Sequence, residues 1–251
     1  MDRLRRILMQ ILPRGWWDRI DLENAGIRDF VRKAAGQVAP DERLLDAGAG
    51  QCLYKNFFRH ARYIAVDFGC GENKWDYSGL DVLGRLENLP FQDAVFDAVL
   101  CTQVLEHVPE PEKILRELHR VTRSGGRLYL TAPQGFGEHQ APHDYFRFTR
   151  YGLRHILEKA GWSVVSIEPR GGFFRYIAVM MMWFYIYFFP ESRPKWLKIV
   201  LAPLQLLVAV GLIVVGVPIV QALDGLDHEK CITLGYAVEC FREKETESDD
   251  R

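Results

Sequence analysis

The stretch Arg43–Cys52, RLLDAGAGQC, constrains the chain more than any other. The apolar pair Leu44–Leu45 runs into Asp46 and then into Gly48-Ala49-Gly50. That order predicts a short buried strand ending in an acid, followed by a turn that only small residues can make. A helix near 52–60 is expected next, with free N–H groups at its start. Tyr63–Asp67, YIAVD, reads as a second apolar strand that also ends in an acid, and Asp67 lies 17 residues beyond Gly50. An acid at the end of the second strand of a βαβ unit is placed to accept from both hydroxyls of a ribose. The two features together predict a nucleotide-like cofactor on the glycine turn.

The charge around that turn separates two cofactor classes. A dinucleotide fingerprint needs G-x-G-x-x-G, and here the third glycine position is Leu53. Asp46 before the turn would repel a pyrophosphate but favour a cation. S-adenosylmethionine carries an amino group and a sulfonium, and no phosphate. The residues therefore favour it over NAD, and an NAD-dependent oxidoreductase is the disfavoured reading.

Composition sets the frame. A chain of 251 residues with 48% apolar and 26% charged residues suits one α/β domain with additions. A formal charge of −1 gives no general footprint for nucleic acid. Five cysteines without CxxC spacing argue against a disulfide framework or zinc site and fit a reducing cytosol.

Downstream motifs fall in a recognisable order: LLDAGAG, AVD, LPFQDAVFDAVL, LEHV and SGGRLYLTAP. Together, over about 40–170, they resemble class I S-adenosylmethionine-dependent methyltransferases, specifically the type 11 group. The resemblance implies a Rossmann-like seven-stranded α/β sheet flanked by helices, its last strand antiparallel. It further implies that Asp46, Gly48 and Gly50 line the methionine half of the cofactor and that Asp67 binds the ribose. Asn88 and Leu89 would wall the adenine, and Cys101, Thr102 and Gln103 would lie under the reactive methyl. Relatives often place an acid four residues before Leu-Pro-Phe, where this chain has Arg85; Asp81 or a backbone carbonyl is the alternative adenine contact. Asp93 and Asp97 read as turn-forming residues.

Methyl transfer needs an aligned acceptor, exclusion of water and, for a hydroxyl or amine, a base. The segment Glu138–Thr149, EHQAPHDYFRFT, concentrates suitable groups after the fifth strand. His143 is the candidate base with Asp144 or Tyr145 beside it, and His139 completes the catalytic set. His139 and His143 are four apart, but Pro142 and the missing third ligand argue against a metal, so none is expected. His107 reads as closing the turn before Pro109, and Thr149 as a helix cap.

About sixty residues separate the sixth and seventh strands, and a connection that long is expected to be functional. Two uncharged runs lie in it, Tyr176–Pro190 and Val200–Leu223, the second long enough for a bilayer core of about 30 Å. Both flanking strands share one compartment, so the insertion crosses twice or not at all. Two crossings would carry Arg193, Lys195 and Lys198 to the far side, against the positive-inside rule. The expected form is a hairpin dipping into one leaflet, with Pro203 and Pro218 breaking its helices; the alternative is a buried homodimer interface or substrate lid. Residues 1–20, with Arg3, Arg5, Arg6, Trp16 and Trp17, read as an amphipathic helix at a membrane or a lid, not a secretory signal.

The expected organisation is therefore 1–39 as a helical segment, 40–170 as the cofactor-binding core, and 171–228 as the apolar insertion. Residues 229–243 would complete the core, and 244–251 form a polar tail. The expected function is methyl transfer to a small or lipid-linked acceptor on the cytoplasmic side of a membrane, with membrane contact through 171–223. Quinone-like, lipid-linked and envelope-glycan acceptors all fit. A non-catalytic membrane scaffold keeping the same fold is the alternative.

Overall fold

The structure, a computed structural model, describes residues 21–71, 75–190 and 193–244. The amphipathic segment expected over 1–20 and the tail 245–251 lie outside the described residues.

The elements run α1 (Leu22–Gln37), β1 (Arg43–Ala47), β2 (Arg62–Asp67), β3 (Val82–Leu83), β4 (Phe96–Thr102), α2 (Pro111–Val121), β5 (Thr122–Pro133), α3 (Arg150–Lys159) and β6 (Trp162–Pro169). Then come α4 (Phe173–Phe188), α5 (Lys195–Ala209), α6 (Val217–Ala222) and β7 (Gly235–Arg242). The strands form one seven-stranded sheet in the order β3-β2-β1-β4-β5-β7-β6. β7 is antiparallel to both its neighbours, as expected. The order reverses at β1/β4, the switch point where ligands of open α/β sheets bind.

Strand alternation explains the two layers. Leu45, Ala47, Val99, Cys101, Leu128 and Leu130 face α2 and α3, where Ile114, Leu115, Leu118, Leu153 and Leu157 are fully buried. Leu44, Ala98, Leu100 and Tyr129 face the other way, against Ile27, Val31 and Ala34 of α1. Thr149 caps α3 by accepting the Gly152 N–H at 3.1 Å. Asp93 pairs with Arg120 of α2 at 2.6 Å, and Asp97, inside β4, accepts the Arg43 N–H of β1 at 2.7 Å; both are structural ties, but Asp97 joins two strands instead of shaping a turn.

Two expectations need correction. No α-helix follows β1; turns over 51–54 lead only to a 3-10 turn at Lys55–Phe58. The final strand also starts at Gly235, later than the 229–243 segment suggested, because Pro133 and Pro169, which pair with its first residues, end β5 and β6 there.

The chain divides into two compact units, and residues 27–169 with the β7 segment make the sheet unit just described. The second unit holds the described residues before Ile27 together with Arg170–Leu234. It is a helical hairpin of α4 against a helix that runs unbroken through Trp196–Leu226, 31 residues. Pro203 sits inside α5 without ending it, contrary to expectation. Before Pro218 the helix widens into a π stretch, Val210–Gly216, which relieves the clash between the proline ring and the preceding turn. Gly216 lets α4 approach: a Cβ there would lie 2.6 Å from the Met181 Cε. At the hairpin base, Asp224 accepts from Gly172 N at 2.9 Å and Arg175 N at 2.9 Å, and Asp227 accepts from Phe173 N at 2.7 Å. These carboxylates cap the α4 N-terminus in place of a local side chain. The hairpin's outer surface is apolar, with Tyr187, Trp196, Ile199, Leu206 and Leu207 all exposed.

Candidate functional site

The carboxyl ends of β1, β2 and β4 converge on the glycine turn. The Gly48 N–H and Ala49 N–H both donate to the Val66 carbonyl, at 2.8 and 3.0 Å. The Gly50 N–H donates to Asp67 Oδ2 at 2.9 Å, and the Gly69 N–H to Asp67 Oδ1 at 2.7 Å. The turn's donors are thus used internally, and no following helix supplies more. This is no phosphate cradle. Its ligand-facing chemistry is acidic.

Gly48, at φ +79°, is required twice over: a Cβ would lie 2.3 Å from Val104 Cγ2, just beyond β4. Gly50 also has a positive φ, and the Trp75 ring lies where its Cβ would be crowded, at 3.0 Å. Cys52 adopts φ +54° with a full side chain. Gln103 does likewise at φ +53°, its side-chain amide donating to Thr131 Oγ1 at 3.0 Å. Left-handed residues with a Cβ are uncommon and gather at functional edges; here they flank the switch point.

Asp46 is buried, and the Tyr63 hydroxyl donates to its Oδ2 while its Oδ1 has no hydrogen-bond partner. Burial raises its carboxyl to about 7, against the lowering effect of Tyr63. A buried carboxylate oxygen left without a donor fits a cationic ligand group. Asp67 keeps lone pairs free beside its two backbone donors, as a ribose diol requires.

The adenine side departs from expectation. Leu89 is buried in the core, its N–H donating to Glu117 at 2.7 Å, while Asn88 is exposed. Asp81 accepts the Ala65 N–H at 2.9 Å, a bond that fastens β2. Arg85 lies over the exposed Phe68 ring, 4.7 Å from its centroid. Phe68, directly after Asp67, offers an aromatic face that the sequence analysis did not single out; an exposed aromatic after a strand-ending acid was the available signal.

The loop 138–147 is fastened to the ends of β4 and β5. The Tyr145 N–H donates to the Glu106 carbonyl at 2.7 Å, and the Phe148 N–H to the Pro133 carbonyl at 2.9 Å. His107 Nδ1 donates to the His143 carbonyl at 2.6 Å, so its side chain braces this loop instead of closing the turn before Pro109. His143 is exposed, its Nδ1 3.3 Å from the Tyr145 hydroxyl. Asp144 does not support His143. It pairs with Arg147 at 2.7 Å and accepts the His139 N–H at 2.8 Å, which holds its carboxyl down at about 2. A carboxylate so engaged is a brace, not a base, and His139 stands with it.

Residues 45–130 match a family model described as a methyltransferase domain. The sheet has the class I methyltransferase fold. S-adenosylmethionine is the cofactor of that family, and the acids at 46 and 67 fit it. The chain is 35% identical over 116 residues to a sarcosine/dimethylglycine N-methyltransferase of Halorhodospira halochloris, covering 39% of each chain. It is 38% identical over 152 residues to a ubiquinone biosynthesis O-methyltransferase of Pseudomonas aeruginosa, covering 52% of this chain and 63% of that one. The methyltransferase match thus spans less than two thirds of either relative. In fold it is similar to a Burkholderia thailandensis 1,6-didemethyltoxoflavin-N1-methyltransferase with bound S-adenosylhomocysteine: TM-score 0.51, 18% identity, 96% of this chain and 88% of that one.

Proposed function

We propose that this protein transfers a methyl group from S-adenosylmethionine to a small or lipid-linked acceptor at the cytoplasmic face of a membrane. The observation that carries the reading is the acidic, donor-satisfied turn, with Asp46 buried beneath it and Asp67 bridging Gly50 and Gly69. Such a turn holds a cation and a ribose and refuses a pyrophosphate.

The cofactor supplies a methyl on a good leaving group. Asp46 attracts its positive end, and Asp67 fixes the ribose. Phe68, exposed beside Asp67, would offer the adenine an aromatic face. The loop 138–147 covers the acceptor side, braced by Arg147 and Asp144. His143, oriented through Nδ1 by Tyr145, takes the acceptor proton as the acceptor attacks.

The exposed apolar surface of the hairpin supports membrane docking, because a soluble monomer rarely exposes so large an apolar face. The likeness to a ubiquinone biosynthesis O-methyltransferase supports a quinone-type acceptor. Transfer of labelled methyl into a fractionated lipid extract tests this: label in the lipid fraction is expected, and label in soluble metabolites alone would refute the membrane acceptor.

A further inference from the structure

The geometry points to a divalent transition-metal site formed by Glu106, His107 and His139 at the carboxyl end of β4. Each offers one ligand atom, and the three atoms lie within 4.8 Å of one another. They come from different segments. Glu106 and His107 belong to the 3-10 turn after β4, and His139 to the loop after β5.

The surroundings set the lone pairs for ligation. His107 Nδ1 donates to the His143 carbonyl at 2.6 Å, so Nε2 carries the lone pair. That Nε2 is buried and has no hydrogen-bond partner, an arrangement that costs free energy unless something accepts the lone pair. His139 Nδ1 lies 3.1 Å from the Gly137 carbonyl and 3.4 Å from Arg147 Nη2; the shorter contact, to the carbonyl, favours the proton on Nδ1 and the lone pair on Nε2. A backbone carbonyl on the far nitrogen of each imidazole is the usual support for a metal-binding histidine.

Glu106 is fully buried and offers a carboxyl oxygen, its Oε1 3.8 Å from His107 Nε2. Arg147 lies beside the cluster, with Nη2 3.4 Å from His139 Nδ1, and Asp144 neutralises it at 2.7 Å. Bonds of about 2.0–2.2 Å place ligand atoms roughly 3.3 Å apart. Closing the set from separations of up to 4.8 Å needs the ligand atoms to approach by up to about 1.5 Å. Two imidazoles and one carboxylate select Zn²⁺-like ions over Mg²⁺ or Ca²⁺, and three protein ligands leave a position open for water or an acceptor oxygen.

The site stands independently of methyl transfer, because its test needs neither cofactor nor acceptor. The full-length chain, stripped of metal, is titrated with Co²⁺ and followed by visible absorption. One equivalent should bind with d–d bands and be displaced by Zn²⁺. His139→Ala and His107→Ala should each weaken binding at least tenfold, whereas His155→Ala, exposed on α3, should not. Each variant is compared by circular dichroism; if His107→Ala fails to fold, the His139→Ala result decides. Absence of stoichiometric Co²⁺ binding, or affinity unchanged in His139→Ala, would overturn the site.

Discussion

The Asp67 carboxylate accepts the Gly50 N–H at 2.9 Å, tying the end of β2 to the turn after β1. One side chain thereby shapes the glycine turn and presents its remaining lone pairs to a ligand.

Gly48 should not tolerate a side chain. Gly48→Ala combines φ +79° with a Cβ 2.3 Å from Val104 Cγ2. A loss of about 2 kcal/mol or more is expected, read as a lower urea midpoint. An unchanged midpoint would contradict the close approach of this turn to Val104.

Asp46 makes stability fall with rising pH. Its carboxyl titrates near 3.8 when unfolded and about 7 when folded. The folded chain therefore binds the extra proton between these values, so stability declines through that window and levels off above about 7. Asp46→Asn should flatten this part of a urea-unfolding series from pH 4 to 8. A cation seated beside Asp46 favours the carboxylate, so cofactor binding near pH 6.5 should release a proton. Binding enthalpies in buffers of different ionisation heat would show it.

The general-base role predicts a split effect. His143→Phe should lower kcat on the order of 10²-fold and leave affinity for S-adenosylmethionine unchanged. Tyr145→Phe should lower kcat by less, since it only orients the imidazole. Equal activity in all three proteins would remove His143 from the reaction.

The hairpin should bind bilayers through its outer face. Sedimentation with vesicles of phosphatidylethanolamine and phosphatidylglycerol should carry down the wild type. Leu206→Glu with Leu207→Glu, at residues 67% and 69% exposed, should stay in the supernatant. A soluble wild-type dimer that ignores vesicles would instead assign this face to self-association.

β1 and β2 were legible because each announces itself twice, as an apolar run and as an acid at or beside its end, whereas β3, only Val82–Leu83, carried no such signal. Alternation over Cys231–Phe241 marked the last strand, and its antiparallel sense came from family resemblance. The missing helix after β1 was not legible: the left-handed backbone at Cys52 is a tertiary outcome, and propensity gives no warning of it. Pro203 and Pro218 read as breaks because local rules assign them so, yet packing and one π stretch carry the helix through. The pairing of Asp144 with Arg147 was hidden among equally spaced polar neighbours, and the meeting of His107 with His139 depends on two loops joined only in space.

Calorimetric titration of S-adenosylmethionine into the wild type and Asp67→Ala tests the central claim most directly. Saturable one-to-one binding is expected, weakened at least tenfold by Asp67→Ala while NADH gives no heat. No binding by the intact protein, or identical binding by both proteins, would contradict it.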